Sequence, residues 1–280
     1  MRLRFAEPQV EGLELSCEVR AVLHSETTPY QQLAVLDTVT YGRMLVLNGA
    51  IQTTIVDEFT YHELIAHVPL CAHPDPQRLL IIGGGDGGAV REALKHPSVQ
   101  RVDLVEIDGR VVEASRRFLP ELAAGLDDPR VNVLVADGIA HVQGHQGAYD
   151  VIIVDSTDPV GPAIGLFSPE FYAAVRRALT AEGILVAQTE SPFFNRSLIA
   201  RAYGAVSSIF PRSGLYWGVI PTYPSGMWTF TAGSLAHDPS RPQAGRAASL
   251  KGKTKYYTEA VHQAAFALPP FVQELLEGPC

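Results

Sequence analysis

The chain has 280 residues, of which 46% are hydrophobic and 19% are charged, and its formal net charge is −8. This composition excludes a disordered chain, and the lack of a basic cluster disfavours a nucleic-acid partner. There is no apolar stretch of about 18 residues to span a bilayer. Cys17, Cys71 and Cys280 lack the spacing of a disulfide framework or zinc site. We therefore predict a soluble cytoplasmic protein with no membrane partner.

The N-terminal part of the chain favours a small antiparallel β unit followed by a helix. Apolar and polar residues alternate between Leu13 and Ile55, which is typical of half-buried strands. Tyr41-Gly42 and Asn48-Gly49 supply turn signals within this region. From Asp57 to Leu70 the apolar residues take helical spacing instead. We predict that this helix connects the β unit to the rest of the chain.

Prolines mark a boundary after this helix. Pro69 and the segment Pro74-Asp75-Pro76 interrupt the helical pattern, so we predict two domains, at residues 1–70 and 71–280. The second domain alternates helical patterns, such as Val90–Lys95 and Phe171–Leu179, with short β-rich runs. These runs are Leu79–Ile82, Val102–Glu106, Val131–Val135, Val151–Asp155 and Ile184–Gln188. The alternation predicts an α/β fold with a mostly parallel sheet covered on both faces, and the segment Ala236–Ser249 reads as a mobile surface loop.

A glycine-rich turn follows the first of these strands and carries a carboxylate. Gly83, Gly85 and Gly88 satisfy the spacing of a dinucleotide fingerprint, but Asp86 lies inside the turn. A helix N-terminus normally favours an anion, so this aspartate argues against a phosphate ligand and for a cationic one. A simple tight turn is the alternative. Glu106 stands about 20 residues after the turn, where an acid can bind two ribose hydroxyls.

Polar side chains follow every predicted parallel strand. In such sheets a ligand binds beyond the carboxyl ends of the strands, so these residues form one candidate site. They are Asp86, Glu106, Asp137, Asp155 with Asp158, and Gln188 with Glu190. Asp137-Gly138 would face a nucleobase, although capping the next helix is an equal alternative. The set is nearly all acidic, which predicts a cationic ligand.

The segment Asp155-Ser156-Thr157-Asp158-Pro159 carries two carboxylates at a ligand-facing strand end. They would repel each other unless a cation lay between them, and helix capping is the simpler alternative. A metal is disfavoured because no histidine lies beside the cluster in sequence. The role of His62, on the predicted helix, stays open between structure and catalysis. Tyr61 and Tyr223 are candidates to wall an alkyl chain.

Several ordered motifs resemble those of the spermidine synthases of bacteria, a family of polyamine aminopropyltransferases. The motifs cover nearly the whole chain: Val46-Leu47-Asn48-Gly49-Ala50-Ile51-Gln52, Asp57-Glu58-Phe59 with Tyr61-His62-Glu63, the glycine turn, Asp155 to Pro162, Ile220 to Gly226, Lys255-Tyr256-Tyr257 and Ala264 to Pro269. The resemblance implies a small N-terminal β domain before a methyltransferase-like Rossmann domain. It also implies transfer of an aminopropyl group from decarboxylated S-adenosylmethionine, a co-substrate, to a diamine, usually putrescine.

The resemblance assigns site residues to two sides of one cleft. The donor side comprises Gln31, Gly83, Gly85, Asp86, Glu106, Asp137, Gly138 and Pro162. The acceptor side comprises Tyr61, His62, Asp86, Asp155, Asp158, Gln188 and Tyr223, with Asp155 as the expected base. His62 departs from family members that carry glutamine there, so its role does not transfer. The resemblance implies that the protein needs no metal and no cofactor. It also implies a homodimer or a homotetramer.

Three alternatives stay open at this point. A methyltransferase using intact S-adenosylmethionine shares the fold, but Asp86 should repel the carboxylate of that donor. A noncatalytic polyamine or nucleoside sensor would not need a base such as Asp155. A nicotinamide dehydrogenase is disfavoured by Asp86 near the expected pyrophosphate path. The acceptor amine is not given by sequence, and Gly161–Phe167 is predicted to close over the cleft as a lid.

Overall fold

The N-terminal residues form a five-stranded antiparallel sheet in the order β1-β2-β3-β4-β5. The structure is a computed structural model that describes residues 2–157 and 161–277. The strands are β1 Leu3–Val10, β2 Leu13–Thr27, β3 Gln32–Thr38, β4 Gly42–Leu47 and β5 Ala50–Thr54. Asn48 and Gly49 join β4 to β5 with φ of 50° and 81°, the conformation of a tight hairpin turn. The predicted antiparallel β unit is confirmed, and β1 extends it towards the N-terminus.

A buried helix, α1, lies between the two sheets. It runs from Glu58 to Ala72, so it continues through Pro69 and ends two residues beyond the predicted Leu70. Proline removes one backbone donor in the last turn, yet Cys71 and Ala72 remain fully buried and keep the helix regular. Nearly every residue of α1 is buried, because it packs on strands of the second sheet and on the helix Gly88–Ala93.

The second sheet has seven strands in the order β11-β12-β10-β9-β6-β7-β8. The strands are β6 Arg78–Gly83, β7 Arg101–Glu106, β8 Val131–Val135, β9 Tyr149–Asp155, β10 Leu179–Gln188, β11 Arg212–Val219 and β12 Met227–Ser234. The five from β6 to β10 are parallel, and β12 and β11 add antiparallel strands. The five predicted strands and the mostly parallel α/β fold are confirmed.

Eight further helices cover this sheet and the C-terminal segment in the part of the chain that the structure describes. They are α2 Gly88–Ala93, α3 Gly109–Phe118, α4 Pro120–Ala123, α5 Gly138–Gln143, α6 Pro169–Ala178, α7 Arg196–Ile209, α8 Glu259–Ala265 and α9 Pro270–Gln273. None of the described helices is both long enough and apolar enough to cross a membrane.

The central parallel strands β6 and β9 are buried on both faces, which explains their continuous apolar runs. In β6, Leu79 and Ile81 join the core with α1 and α2, whereas Leu80 and Ile82 join the core with α6. The same two-sided burial recurs in β9. This arrangement leaves the carboxyl ends of β6, β7, β8, β9 and β10 at one edge. The polar residues predicted at these ends therefore lie along that edge.

The segment Ala236–Ser249 is a loop, but its contacts do not fit the expectation of a mobile one. The backbone N–H of Gln243 donates to the carbonyl of Cys71 at 2.8 Å, and Arg246 Nε donates to the carbonyl of Leu70 at 2.9 Å. Ala247 is buried as well. The loop therefore supplies hydrogen-bond partners to the end of α1, which a sequence pattern of small and polar residues does not reveal.

Candidate functional site

A cavity of about 380 Å³ opens at the carboxyl ends of the parallel strands. Its far wall comes from the N-terminal sheet, through residues such as Leu45, Leu47 and Gln52. The structure brings eleven of the predicted site residues to this one cavity: Gln31, Tyr61, His62, Gly83, Gly85, Asp86, Glu106, Asp137, Gly138, Asp155 and Tyr223. Residues far apart in sequence therefore meet because the strands that carry them are neighbours in the sheet.

The glycine turn lies against the end of β9. Gly84 has φ of 66°, in the left-handed region, and a Cβ placed there would come within 2.7 Å of Asp155 Oδ2. A side chain at this position would both strain the backbone and displace the carboxylate. The turn is glycine-rich here because the backbone approaches Asp155 closely, in addition to approaching any ligand.

Glu106 lies at the end of β7 and is held by backbone donors. Its Oε2 accepts from the N–H of Gly85 at 3.2 Å, and its Oε1 accepts from the N–H of Asp108 at 3.0 Å. Burial raises the pKa of Glu106 to about 7, although these backbone hydrogen bonds act in the opposite direction. The carboxylate is thus fixed by the backbone where it lines the cavity, and burial makes its ionisation costly.

Glu106→Gln is expected to stabilise the unliganded protein above pH 7 and to weaken binding of a ribose-containing ligand. The glutamic acid takes up a proton more readily in the folded than in the unfolded state, so its contribution to stability falls as pH rises from about 4.5 to about 7. A shift of this size corresponds to about 3 kcal/mol. Thermal unfolding of both proteins at pH 5 and pH 8 measures the difference; an equal gap at both pH values would contradict this account.

Gln31 reaches the site through a residue that the sequence pattern did not single out, Asp108. Asp108 Oδ2 accepts from Gln31 Nε2 at 2.9 Å and from Thr28 Oγ1 at 2.7 Å. Its Oδ1 accepts from the N–H of Arg110 and caps α3. One carboxylate therefore connects a loop of the N-terminal sheet to the strand end that carries Glu106. Asp108 could have been found from the sequence, because it stands directly after that strand at the position of a helix cap.

Asp137 caps α5 and also faces the cavity. Its Oδ1 accepts from the N–H of Ile139 at 2.7 Å and from the N–H of Ala140 at 3.3 Å. The capping alternative is therefore correct. The residue is exposed where it lines the cavity, so capping does not remove it from a ligand.

Asp155 lies at the end of β9, beside the glycine turn. Tyr61 donates its hydroxyl hydrogen to Asp155 Oδ1 at 2.6 Å, whereas the buried Oδ2 has no hydrogen-bond partner among the described residues. Burial and the nearby Asp86 carboxylate raise the pKa of Asp155 to about 6, against the opposing effects of His62 and Tyr61. An unpaired acceptor oxygen with a raised pKa suits a group that takes up a proton from a ligand.

His62 lies between two carboxylates. Its Nδ1 is 2.7 Å from Glu58 Oε2, and its Nε2 is 3.3 Å from Asp86 Oδ1. Burial alone would lower the pKa of His62, but Asp86 and Glu58 outweigh it and raise this pKa well above 6.5. Burial acts to raise the pKa of Asp86, yet the His62 charge keeps it below its usual range. The two flanking carboxylates therefore favour the protonated form of His62.

His62, Asp86 and Asp155 each offer an atom that could ligate a metal, and these atoms lie within 4.8 Å of one another. The sequence analysis placed all three residues on one side of the cleft, but it did not show that a histidine nitrogen and two carboxylates lie this close together. Both nitrogens of His62 already face carboxylates, and a protonated imidazole has no lone pair for a metal.

Tyr223 and Tyr61 form an aromatic wall, with ring centroids 5.6 Å apart. The Tyr223 hydroxyl donates to the carbonyl of Gln52 in β5 at 2.6 Å. The loop that carries Tyr223 is fixed by Asp57, whose Oδ2 accepts from the N–H and the hydroxyl of Thr222. Gln52 and Asp57 were not predicted as site residues, because their partners lie about 170 residues away in sequence.

The remaining predicted residues lie elsewhere or outside the described residues. Gln188 does not line the cavity: its Nε2 donates to the carbonyl of Ser156 at 3.1 Å, and its Oε1 accepts from the N–H of Glu190. Asp158 and the side chain of Pro162 lie outside the described part of the chain. Gly161–Phe167 forms a 3-10 helix, and Ala163 and Leu166 on it line the cavity.

Comparison with known protein families connects this geometry to an activity. The Spermine/spermidine synthase domain matches residues 58–240, and the Spermidine synthase tetramerisation domain matches residues 4–54. The chain belongs to the spermine/spermidine synthase family. It is a polyamine aminopropyltransferase, so the resemblance inferred from the motifs is confirmed.

Relatives and solved structures agree with this assignment over the full length. The polyamine aminopropyltransferase of Moorella thermoacetica is 58% identical over 98% of this chain and 96% of its own, and that of Desulforudis audaxviator is 54% identical over 98% and 99%. A spermidine synthase solved with the transition-state analogue AdoDATO superposes with a TM-score of 0.96, at 41% identity over 98% of this chain and 95% of its own. The spermidine synthase of Thermotoga maritima gives 0.94 at 40% identity, over 98% of this chain and 94% of its own.

Proposed function

We propose that this family member transfers the aminopropyl group of decarboxylated S-adenosylmethionine to putrescine, producing spermidine and methylthioadenosine. The observation that carries the proposal is the unpaired Asp155 Oδ2 in a cavity that also holds Asp86 and Glu106. A donor with a sulfonium and an ammonium, and an acceptor with two ammonium groups, are complementary to this acidic cavity.

The donor occupies the side of the cavity lined by the glycine turn. Glu106 accepts hydrogen bonds from the two ribose hydroxyls, and Gln31 is held nearby by Asp108. Asp137 and Gly138 face the base, while Asp86 meets the ammonium of the aminopropyl arm. Gly83 and Gly85 supply backbone close to the nucleoside, and Pro162 belongs to the same side.

The acceptor occupies the side lined by the aromatic wall. Tyr61 and Tyr223 enclose the alkyl chain, and Asp155 receives the attacking amine at its unpaired oxygen. Asp158 and Gln188 belong to this side in the proposal. Gln188 does not contact the amine but holds the backbone carbonyl of Ser156, directly after Asp155. His62 contributes through Asp86, with which it is paired.

The reaction requires a neutral amine. A primary amine with a pKa near 10 is deprotonated in about one molecule in a thousand at pH 7, which corresponds to about 4 kcal/mol. The adjacent sulfonium and the exclusion of water lower the pKa of the bound amine, while burial raises the pKa of Asp155 to about 6. The pKa of the bound amine and the pKa of Asp155 therefore approach each other, and the proton passes from the amine nitrogen to Asp155.

The transfer is then a direct displacement. The amine nitrogen forms a bond to the carbon next to sulfur, the carbon–sulfur bond breaks, and its electron pair stays on sulfur as a neutral thioether. The proton lost by nitrogen resides on Asp155 and leaves with solvent. Holding nitrogen and carbon about 3 to 3.5 Å apart supplies much of the rate enhancement, because the entropy of bringing the two atoms together is lost on binding and not in the reaction step.

We also propose that the chain forms a homodimer or homotetramer. The match of residues 4–54 to the tetramerisation domain supports this, as do exposed apolar side chains on the N-terminal sheet. Leu13 is 46% exposed and Val22 is 53% exposed on β2. A second copy would cover such residues. Light scattering of the purified protein measures the number of copies.

Incubating the purified protein with decarboxylated S-adenosylmethionine and an amine panel tests the proposed reaction. Methylthioadenosine release is followed with putrescine, cadaverine, agmatine and spermidine, and the products are identified by mass. We expect spermidine from putrescine, at a rate unchanged by a chelator. A faster rate with another amine would replace the acceptor and keep the chemistry. Turnover only with intact S-adenosylmethionine would indicate a methyltransferase, and tight donor binding without any turnover would indicate a sensor.

A further inference from the structure

Four side chains of alternating charge form a row behind the cavity. Arg91 Nη2 is 2.8 Å from Glu58 Oε2, and the same oxygen is 2.7 Å from His62 Nδ1. His62 Nε2 is 3.3 Å from Asp86 Oδ1. The row runs from α2 across α1 to the glycine turn, and only Asp86 and His62 among its members line the cavity.

The geometry of the row leaves His62 little freedom. Glu58 and His62 are four residues apart on α1, so they lie on one face of the helix. A Cβ placed at Gly88 would overlap the His62 ring, so the imidazole packs directly on the backbone at the start of α2. The N–H of Gly88 donates to Asp86 Oδ1 at 2.7 Å, which is the oxygen that also faces His62. The contacts of Asp86 with Gly88 and His62 thus converge on one oxygen.

The charges of the row support one another in a buried setting. The side chains of His62 and Glu58 are 3% and 5% exposed, so either charge alone would be costly there. Arg91 balances Glu58 and also contacts Glu92, which is paired with Lys95 and His67. The other titratable groups facing His62 are Tyr61 from α1 and Asp155 from β9.

We propose that Glu58 and Arg91 are positioning residues for the transfer reaction. They hold His62 as an oriented, charged group against Asp86 Oδ1. The Asp86 carboxylate therefore stays ionised, and its Oδ2 is available to the donor's ammonium. The inference rests on the proposed function only for the identity of this ligand. Glu58 and Arg91 touch no substrate, and their effect reaches the reaction through His62 and Asp86.

The charge of His62 is measured first, without any substrate. Protein labelled with ¹³C at histidine Cε1 is titrated by NMR, and His62→Gln assigns the resonance by its loss. We expect the pKa of His62 in the wild type to lie well above the ordinary histidine value, because Asp86 and Glu58 flank its ring. Glu58→Gln is expected to lower the pKa of His62 towards the ordinary histidine value, because the carboxylate beside Nδ1 is lost. Arg91→Met removes a cation and leaves that carboxylate in place, so it should not lower the pKa of His62; its effect is measured in the donor kinetics. Lys95→Met, which removes a positive charge just after α2 without touching Glu58, is the matched control and should leave the titration unchanged.

Donor kinetics provide the second readout. Glu58→Gln and Arg91→Met are expected to raise the KM for the donor about tenfold, with Arg91→Lys close to the wild type. Variants that lower the unfolding temperature but move neither this KM nor the His62 titration would show a merely structural role and overturn the proposal, as would a neutral His62 in the wild type. If the NMR results are as expected but the wild type turns over no amine, the proposed function fails while the role of the row in charging His62 stands.

Discussion

Asp155→Asn is expected to lower kcat by about 10² to 10⁴ while leaving donor affinity within about threefold of the wild type. The amide keeps the shape of the side chain and can still accept the hydrogen bond from Tyr61, but it cannot take a proton from the attacking amine. The variant should also be at least as stable as the wild type above pH 6. The reason is that the folded protein no longer carries a buried acid whose pKa is raised to about 6. Single-turnover release of methylthioadenosine and calorimetric donor binding separate the two effects.

Asp150→Asn is the matched control for this variant. Asp150 lies near the opposite end of the same strand, β9, where it accepts from the backbone N–H groups of Gln77 and Arg78. Its replacement should lower stability and leave kcat unchanged. Equal losses of kcat in both variants would mean that β9 tolerates no change in charge and that Asp155 has no special chemical role.

Asp86→Asn is expected to weaken binding of decarboxylated S-adenosylmethionine by about 10- to 100-fold, because a charge-assisted hydrogen bond to the donor's ammonium is lost. Binding of intact S-adenosylmethionine should be unchanged or tighter, since the repulsion of its carboxylate by Asp86 is removed. The ratio of the two affinities, measured by calorimetry, is the decisive quantity. An unchanged ratio would contradict the electrostatic account of donor selection.

Asp103→Asn serves as the control for donor selection. Asp103 is a buried acid on β7, and it is satisfied by Arg101, Asn132 and Tyr149 at a distance from the cavity. Its replacement should reduce stability and leave the affinity ratio of the two donors unchanged. The comparison of the two variants therefore isolates the position of the charge from the loss of one buried carboxylate.

The parallel strands could be predicted because the central ones, β6 and β9, are buried on both faces and read as short apolar runs. The antiparallel strands β11 and β12 were not predicted, although Met227-Trp228-Thr229-Phe230-Thr231 is rich in aromatic and β-branched residues beside the turn at Ser225-Gly226. The C-terminal end of α1 was predicted two residues too early, at Leu70 instead of Ala72. Pro69 disfavours helix locally, but tertiary burial of the residues after it decides the outcome.

The acids of the cavity could be predicted because the topology of a parallel sheet brings strand ends together. The side chains that pair with these acids could not be predicted from the sequence. The pairing of Glu58 with Arg91 depends on how α1 packs against α2, and sequence spacing does not contain that packing. The direction of the Gln188 amide likewise depends on backbone groups of Ser156 and Glu190. Sequence located the candidate site, and side-chain orientation required the packed structure.

The N-terminal sheet closes the cavity from outside the catalytic sheet. Leu45, Leu47, Asn48, Ala50 and Gln52 of the β4–β5 hairpin form this wall, whereas Asp86 and Asp155 project from the opposite side. Chemistry and available room are thus encoded in separate stretches of the chain. Substitutions in this one hairpin can therefore change the size of the cavity while the acids that project from the second sheet stay unchanged.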